Sequence, residues 1–145
     1  MKISIGADHR GFALKQGLMA AFTHVAWTDV GAFDQQRSDY PPFACAAVDL
    51  LRAGKVDSCI LLCGSGVGMS IAANRYKGVY AGLCWQPAVA KAAKEDDGIN
   101  VLVLPADFVT QADACAIVQA WLDASFKGGR YQARLAALDT AGNCF

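Results

Sequence analysis

The chain is 145 residues long, which fits one domain, read as residues 1–145, and leaves no room for a modular multi-domain enzyme. Thirteen Lys plus Arg balance thirteen Asp plus Glu, so no basic excess exists to neutralise many phosphates, which excludes nucleic acid as the main partner. Apolar residues make up 54% and charged residues only 18%, below the roughly 25% typical of soluble proteins, a balance that points to surface buried in an oligomer.

Residues 2–6 form a short alternating apolar run that ends at Gly6 and predicts a strand. The loop Ala7-Asp8-His9-Arg10-Gly11 follows, then a helical stretch from Phe12 to about Phe22. The unit recurs. Val25–Val30 precedes a polar loop and a helix near 42–53, and Ser58–Leu62 precedes a glycine loop and a helix near 67–75. Val79–Leu83 leads to a helix near 87–94, and Val101–Leu104 to an amphipathic helix near 111–125. Gly128-Gly129 isolates a last helical pattern, Arg130–Thr140, that carries two arginines. Five β-runs alternating with helices predict an α/β fold: a three-layer α/β/α sandwich around a Rossmann-like five-stranded parallel sheet. Ligands of such sheets bind beyond the carboxyl ends of the strands, which singles out loops 7–11, 31–41, 63–68, 84–87 and 105–110.

No apolar run reaches the roughly 18–20 residues of a membrane span, and the segment from Met1 to Gly6 has no secretory signal, so no membrane partner is expected. Cys59, Cys63 and Cys84 lie in apolar runs, Cys45 and Cys115 in helical patterns, and Cys144 in the tail. No Cys-x-x-Cys pair signals zinc or thioredoxin-type chemistry, so reduced thiols in a cytoplasmic protein are expected, with no metal and no cofactor.

The strongest local signal is Cys63-Gly64-Ser65-Gly66-Val67-Gly68-Met69-Ser70, placed where a buried strand meets a helix. The glycines let backbone N–H groups approach a ligand, and the helix N-terminus favours an anion such as a phosphate or an enediolate oxygen. The segment is not a dinucleotide fingerprint, because Met69 occupies its third glycine position, nor a P-loop, because no Gly-Lys-Ser/Thr is present. A tight strand-to-helix turn is the alternative. Cys63 faces that helix N-terminus, where a thiol becomes a candidate base or nucleophile; otherwise it is a small apolar residue like the other cysteines. Asp8-His9 follows the first strand and could bind a sugar hydroxyl or a phosphate, whereas His24, at the opposite edge, is read as structural. Arg130 and Arg134 share a helix face at a spacing that suits clamping one anion, or else form a solvated face.

These residues resemble the ribose-5-phosphate isomerase B and galactose-6-phosphate isomerase family. The resemblance is carried by Gly6-Ala7-Asp8-His9-Arg10-Gly11-Phe12 with Leu14-Lys15, by Ser38-Asp39-Tyr40-Pro41, and by the Cys63–Ser70 segment continuing through Ile71-Ala72-Ala73-Asn74. Asn100-Val101-Leu102, Ala120-Trp121-Leu122 and Gly128-Gly129-Arg130 extend it over almost the whole chain. It implies a metal-independent aldose–ketose isomerase acting on a sugar phosphate. It also implies a homodimer with shared active sites at its interface, with a dimer of dimers possible in principle. Carried over by position, Cys63 would move a proton between C1 and C2 through a cis-enediolate. Ser65 and the amides of Gly64, Gly66 and Gly68 would stabilise the enediolate oxygens. Asp8, Tyr40, Ser70, Asp97 and Asn100 would line the sugar; His9, Arg130 and Arg134 would approach the phosphate.

Two departures bear on substrate. The family usually reads His-Asn-Asp-Thr-Asn where this chain reads Asp96-Asp97-Gly98-Ile99-Asn100, so Asp96 replaces the histidine credited with opening the sugar ring. After the fifth strand the family's Gly-Ala/Ser-Arg is Pro105-Ala106-Asp107, which exchanges a phosphate-binding arginine for a carboxylate. Arg10 is expected to supply replacement positive charge. Ribose 5-phosphate is the default substrate and a tetrose phosphate, which cannot cyclise, the shorter option. The alternative is a non-catalytic or regulatory sugar-phosphate-binding paralogue whose site is altered at Asp96, Asp97 and Asp107.

Overall fold

The computed structural model describes residues 1–141, so Cys144 lies outside the described residues. Its elements are β1 (Lys2–Ala7), α1 (Phe12–Ala21), β2 (Ala26–Asp29), α2 (Pro41–Arg52), β3 (Ser58–Cys63), α3 (Val67–Ala73), β4 (Ala81–Leu83), α4 (Pro87–Asp97), β5 (Val101–Pro105), α5 (Gln111–Asp123) and α6 (Arg130–Thr140). The five strands make one all-parallel sheet in the order β2-β1-β3-β5-β4. The α/β/α sandwich expected from the alternation of elements is the observed fold.

Side-chain alternation divides the core in two. Ile3, Ile5, Ile60, Leu62, Leu102 and Leu104 point to one face, where α1, α4 and α5 cover them with Leu18, Ala90, Ile117 and Trp121. Cys59, Leu61, Cys63, Val101 and Val103 point to the other, against Ala44, Ala47 and Val48 of α2 and Met69 and Ala73 of α3. Every residue of β3 is buried, which is why its sequence is a continuous apolar run with no alternation. Each large aliphatic side chain taken fully out of water this way contributes about 1.5–3 kcal/mol.

The strand order positions the site. β1 feeds α1 on one face while its neighbour β3 feeds α3 on the other. Loops leaving the carboxyl ends of these two strands therefore part in opposite directions and leave a crevice between them, the topological switch point where open α/β sheets bind ligands.

One buried charge fixes the loop that borders this crevice. Lys15 of α1 is fully buried, and its Nζ donates to Asp29 Oδ1 at 2.5 Å and to the Ala32 carbonyl at 2.7 Å. The Phe12 and Phe33 rings flank it, with centroids 5.7 and 5.4 Å away. Asp29 Oδ1 also accepts from the Gly31 amide at 2.9 Å, so one carboxylate oxygen ties α1 to the first residues after β2. A charge this deep persists only when paired and hydrogen-bonded.

Element boundaries differ from the sequence expectation where side chains intervene. β4 is only three residues long, because the backbone before it is held by amide side chains. Asn100 Oδ1 accepts from the Tyr80 amide at 2.8 Å and its Nδ2 donates to the Gly78 carbonyl at 2.9 Å. Asn74 clamps both polar groups of Ala81 at 2.8 and 2.9 Å. α4 runs past residue 94 to Asp97 and stops at Gly98, whose φ of +58° is the left-handed stop that glycine adopts most readily. α5 ends at Asp123, short of 125, and starts in a capping box: Thr110 Oγ1 accepts from the Asp113 amide and Asp113 Oδ2 from the Thr110 amide.

Candidate active site

The carboxyl edge of the sheet gathers Cys63, Asp8, His9, Tyr40 and the glycine loop. Cys63 ends β3 and is 4% exposed, part of the core cluster that also holds Ala44 and Met69 and against which Tyr40 and Phe43 pack. Its carbonyl accepts from the Ala106 amide at 2.9 Å and the Gly64 carbonyl from the Asp107 amide at 3.0 Å, so the loop after β5 braces the loop after β3. From the β1 side, the Asp8 amide donates to the Leu62 carbonyl at 3.2 Å. Asp8 itself is buried, and its Oδ1 accepts from the Arg10 and Gly11 amides at 2.9 and 3.1 Å. Oδ1 thus organises the turn into α1, and Oδ2 has no partner among the described residues.

His9 is oriented by a residue that sequence reasoning quoted only as part of a motif. Ser38 Oγ accepts from the His9 amide at 3.1 Å, and His9 Nδ1 lies 3.0 Å from the Ser38 carbonyl and 3.3 Å from the Ser38 amide. Nδ1 donates to that carbonyl in one tautomer and accepts from that amide in the other, and either way Ser38 engages Nδ1 and leaves Nε2 as the ring nitrogen available to a ligand. Ser38 and Tyr40 both belong to the loop that Lys15 and Asp29 fix at its start.

The three glycines after Cys63 admit particular neighbours. A Cβ on Gly68 would lie 2.6–3.0 Å from the Tyr40 ring, so the missing side chain lets that ring rest on the first turn of α3. Gly66 has φ +77°, and a Cβ there would also lie 2.4 Å from Leu83 Cδ1. Gly64 is covered by Arg10 and Asp107, which form an ion pair across it. Ser65 is exposed and its Oγ accepts from the Val67 amide at 3.3 Å, which takes one first-turn donor out of reach of a ligand. The Gly68 and Met69 amides precede the first α3 backbone bond, from the Ser70 amide to the Gly66 carbonyl, and have no intrahelical acceptor. Ser70 Oγ is buried without a partner among the described residues. Cys59 and Cys84 are excluded as bases, because burial pushes their thiols up to about 11 and about 12.

The remaining site residues gather at the opposite edge. Asp96 and Asp97 end α4 just before the amino end of β5, whereas Cys63 pairs with Pro105 at its carboxyl end. Four residue steps along β5 separate these edges, about 13 Å. Lys127 Nζ donates to Asp96 Oδ1 at 2.7 Å and lies 3.2 Å from Glu95 Oε2. The Lys127 ammonium, followed by the Arg134 charge, holds the Asp96 carboxyl below the usual carboxylate range. Arg134 donates to the Asp96 carbonyl at 3.2 Å and faces Asp97 at 3.6 Å. The Tyr131 ring is a common platform for Lys127, Arg130 and Arg134, at 5.6, 4.9 and 4.7 Å. No sequence signal beyond the aromatic residue between two arginines marked it. Asn100 has its whole amide engaged at the start of β4 and presents no free polar atom from that clamp. One chain therefore brings together Cys63, the glycine loop, Asp8, His9 and Tyr40, and separately Asp96, Asp97, Arg130 and Arg134. Arg10, expected to supply free positive charge, is instead neutralised by Asp107.

Comparison with known proteins matches this architecture. The family described as Ribose/Galactose Isomerase matches residues 3–138. Ribose-5-phosphate isomerase B of Escherichia coli K12 is 40% identical over 139 residues, covering 94% of this chain and 93% of the relative. The structure of ribose-5-phosphate isomerase B from Clostridium thermocellum superposes with a TM-score of 0.96 at 33% identity, covering 98% of this chain and 97% of that one. The Mycoplasma genitalium ribose-5-phosphate isomerase B structure, with bound ribulose-5-phosphate, gives a TM-score of 0.91 at 34% identity, covering 99% and 97%.

Proposed function

Because the chain belongs to the ribose/galactose isomerase family and is an aldose–ketose isomerase, we propose that it interconverts ribose 5-phosphate and ribulose 5-phosphate with Cys63 as the base. The observation that carries this reading is the placement of Cys63 at the end of β3, beside the switch-point crevice, with Tyr40 resting on Gly68 of the following loop and His9 held by Ser38 of the Tyr40 loop. The Cys63 thiolate removes the proton from C2 of the open-chain aldose, and the electron pair moves into a C1–C2 double bond as negative charge collects on O1. The proton on O2 passes to O1 of the resulting cis-enediolate, the Cys63 thiol returns its proton to C1, and the electron pair left on O2 forms the C2 carbonyl, so no atom is gained or lost. The free Gly68 and Met69 amides are the donors available for the developing oxyanion. Asp8 Oδ2 and the Tyr40 hydroxyl bind sugar hydroxyls, and His9 Nε2 meets the phosphate.

The amino-edge residues enter through a second copy of the chain. Arg134 groups with Asp96 and Asp97, and Arg130 with Tyr131, at the edge opposite Cys63, and in this reading both arginines supply phosphate-binding charge across a homodimer interface. Exposed Val67, Ile71, Trp85 and Phe108 around the carboxyl edge give that interface apolar surface to bury.

A second reading concerns substrate length. Lys127 keeps Asp96 ionised, so this residue accepts a proton but has none to donate near neutral pH. A substrate that needs no ring opening, such as a tetrose 4-phosphate, suits that site better than a furanose does. The test is a panel of aldose phosphates incubated in D2O while C2–H exchange is followed by NMR. Exchange that disappears in Cys63→Ala supports isomerisation by Cys63, and the ratio of kcat/KM for tetrose and pentose phosphates decides the length. Absence of exchange with every sugar phosphate overturns the reading.

A further inference from the structure

Arg10 and Asp107 come from loops on opposite sides of the Cys63-Gly64 peptide and meet directly above it. A Cβ on Gly64 would lie 2.7 Å from both Arg10 Nε and Asp107 Oδ2 and 3.0 Å from Arg10 Cδ, so the ion pair rests on the glycine itself. Its ends are fixed by backbone: the Arg10 amide donates to Asp8 Oδ1 at 2.9 Å, and the Asp107 amide to the Gly64 carbonyl at 3.0 Å. The pair is partly open to solvent, with side-chain exposures of 57% for Arg10 and 32% for Asp107, so a bound sugar can reach it.

We propose that Asp107 is a specificity-determining residue that masks Arg10 against anions, so that the rim beside Cys63 reads a sugar hydroxyl in place of a phosphate. The proposal rests on the isomerase reading above and deepens it. A lone guanidinium here would attract a phosphate. Paired, it contributes no net charge and presents an N–H donor beside a carboxylate acceptor. That combination matches a hydroxyl, which both donates and accepts, whereas a phosphate only accepts and meets repulsion from Asp107. The pair therefore favours a substrate hydroxyl beside the glycine loop and leaves the phosphate to be held by other groups.

The experiment is calorimetric titration of inorganic phosphate into the wild-type protein, Asp107→Asn, Arg10→Gln and the double variant, at low and high salt. Asp107→Asn unmasks Arg10 and binds phosphate roughly three- to tenfold more tightly at low salt, a gain that added salt erodes. The Arg10→Gln change costs more phosphate affinity in the Asp107→Asn background than in the wild type. In steady-state assays Asp107→Asn shows stronger product-like inhibition by phosphate, and its defect falls on KM for the sugar more than on kcat. No tightening in Asp107→Asn overturns the proposal, as does an equal cost of Arg10→Gln in both backgrounds. Because the phosphate titration needs no turnover, it is independent of C2–H exchange, whose absence would count against the isomerase reading alone.

Discussion

The two edges of the sheet are built for different work, although each carries charged residues expected at a single site. At the carboxyl edge the polar groups are tied to backbone and leave particular atoms free: Asp8 spends Oδ1 on its own turn, and His9 spends Nδ1 on Ser38. At the amino edge the charges are paired with one another, Lys127 with Asp96 and Glu95 and Arg134 with Asp97, around the Tyr131 ring. The first arrangement orients a reacting group with precision. The second holds charges of both signs on an exposed surface, with Arg130 in no ion pair among the described residues, where it can be presented to another molecule. The difference teaches that one chain gathers its candidate site residues into two clusters at opposite edges of the sheet, and that sequence order conceals their separation.

The largest expected effect breaks the carboxyl edge. Cys63→Ala lowers kcat for isomerisation by about 10²–10⁴-fold, the usual contribution of a positioned proton-transfer group, with little change in KM. Stopped assays of ketose formation measure it. Arg134→Ala is expected to act in the opposite sense, raising KM for the sugar phosphate by about tenfold or more, because charge-assisted bonds contribute about 1.5–3 kcal/mol. A kcat defect from Arg134→Ala with unchanged KM would dissolve the distinction between the edges.

Stability separates them too. Lys15→Met leaves Asp29 without its ammonium and is expected to cost about 3–5 kcal/mol in urea unfolding, the range for breaking a buried pair. It also releases the loop that carries Ser38 and Tyr40. Arg10→Gln breaks a solvent-exposed pair, and its cost stays below about 1 kcal/mol. The smallest effect is a pH dependence at the amino edge. Asp96 has its carboxyl held down by Lys127, so the pair stabilises the fold above the usual carboxylate range and loses its contribution as pH falls through it. The difference in Tm between wild type and Asp96→Asn is accordingly present at neutral pH and vanishes in strong acid.

Much of this was legible in the sequence, for local reasons. The alternation of five apolar runs with helical patterns marked the strands and the covered sheet, and the Ser58–Leu62 run, which the structure extends to Cys63, is buried throughout. The insertion of β5 between β3 and β4 was not legible, because it rests on pairings such as Cys59 with Val101, far apart in the chain. Nor was the brevity of β4, which depends on the Asn74 and Asn100 amides competing for its backbone. In the site, the Gly-Ser-Gly pattern marked the loop, but what each glycine admits was visible only in three dimensions: Tyr40 over Gly68, and the Arg10–Asp107 pair over Gly64. Arg130 and Arg134 were recognisable by their helical spacing, which says nothing about which end of the sheet their helix reaches.

The central claim is that a working site needs the carboxyl edge of one chain and the amino edge of another, and subunit mixing tests it most directly. Cys63→Ala and Arg134→Ala are each nearly inactive at limiting sugar phosphate; unfolded together and refolded at equal amounts, they are predicted to regain about a quarter of wild-type activity. That is the statistical yield when half the dimers are hybrid and each hybrid has one intact site. Activity no greater than the sum of the two separate variants would contradict the claim.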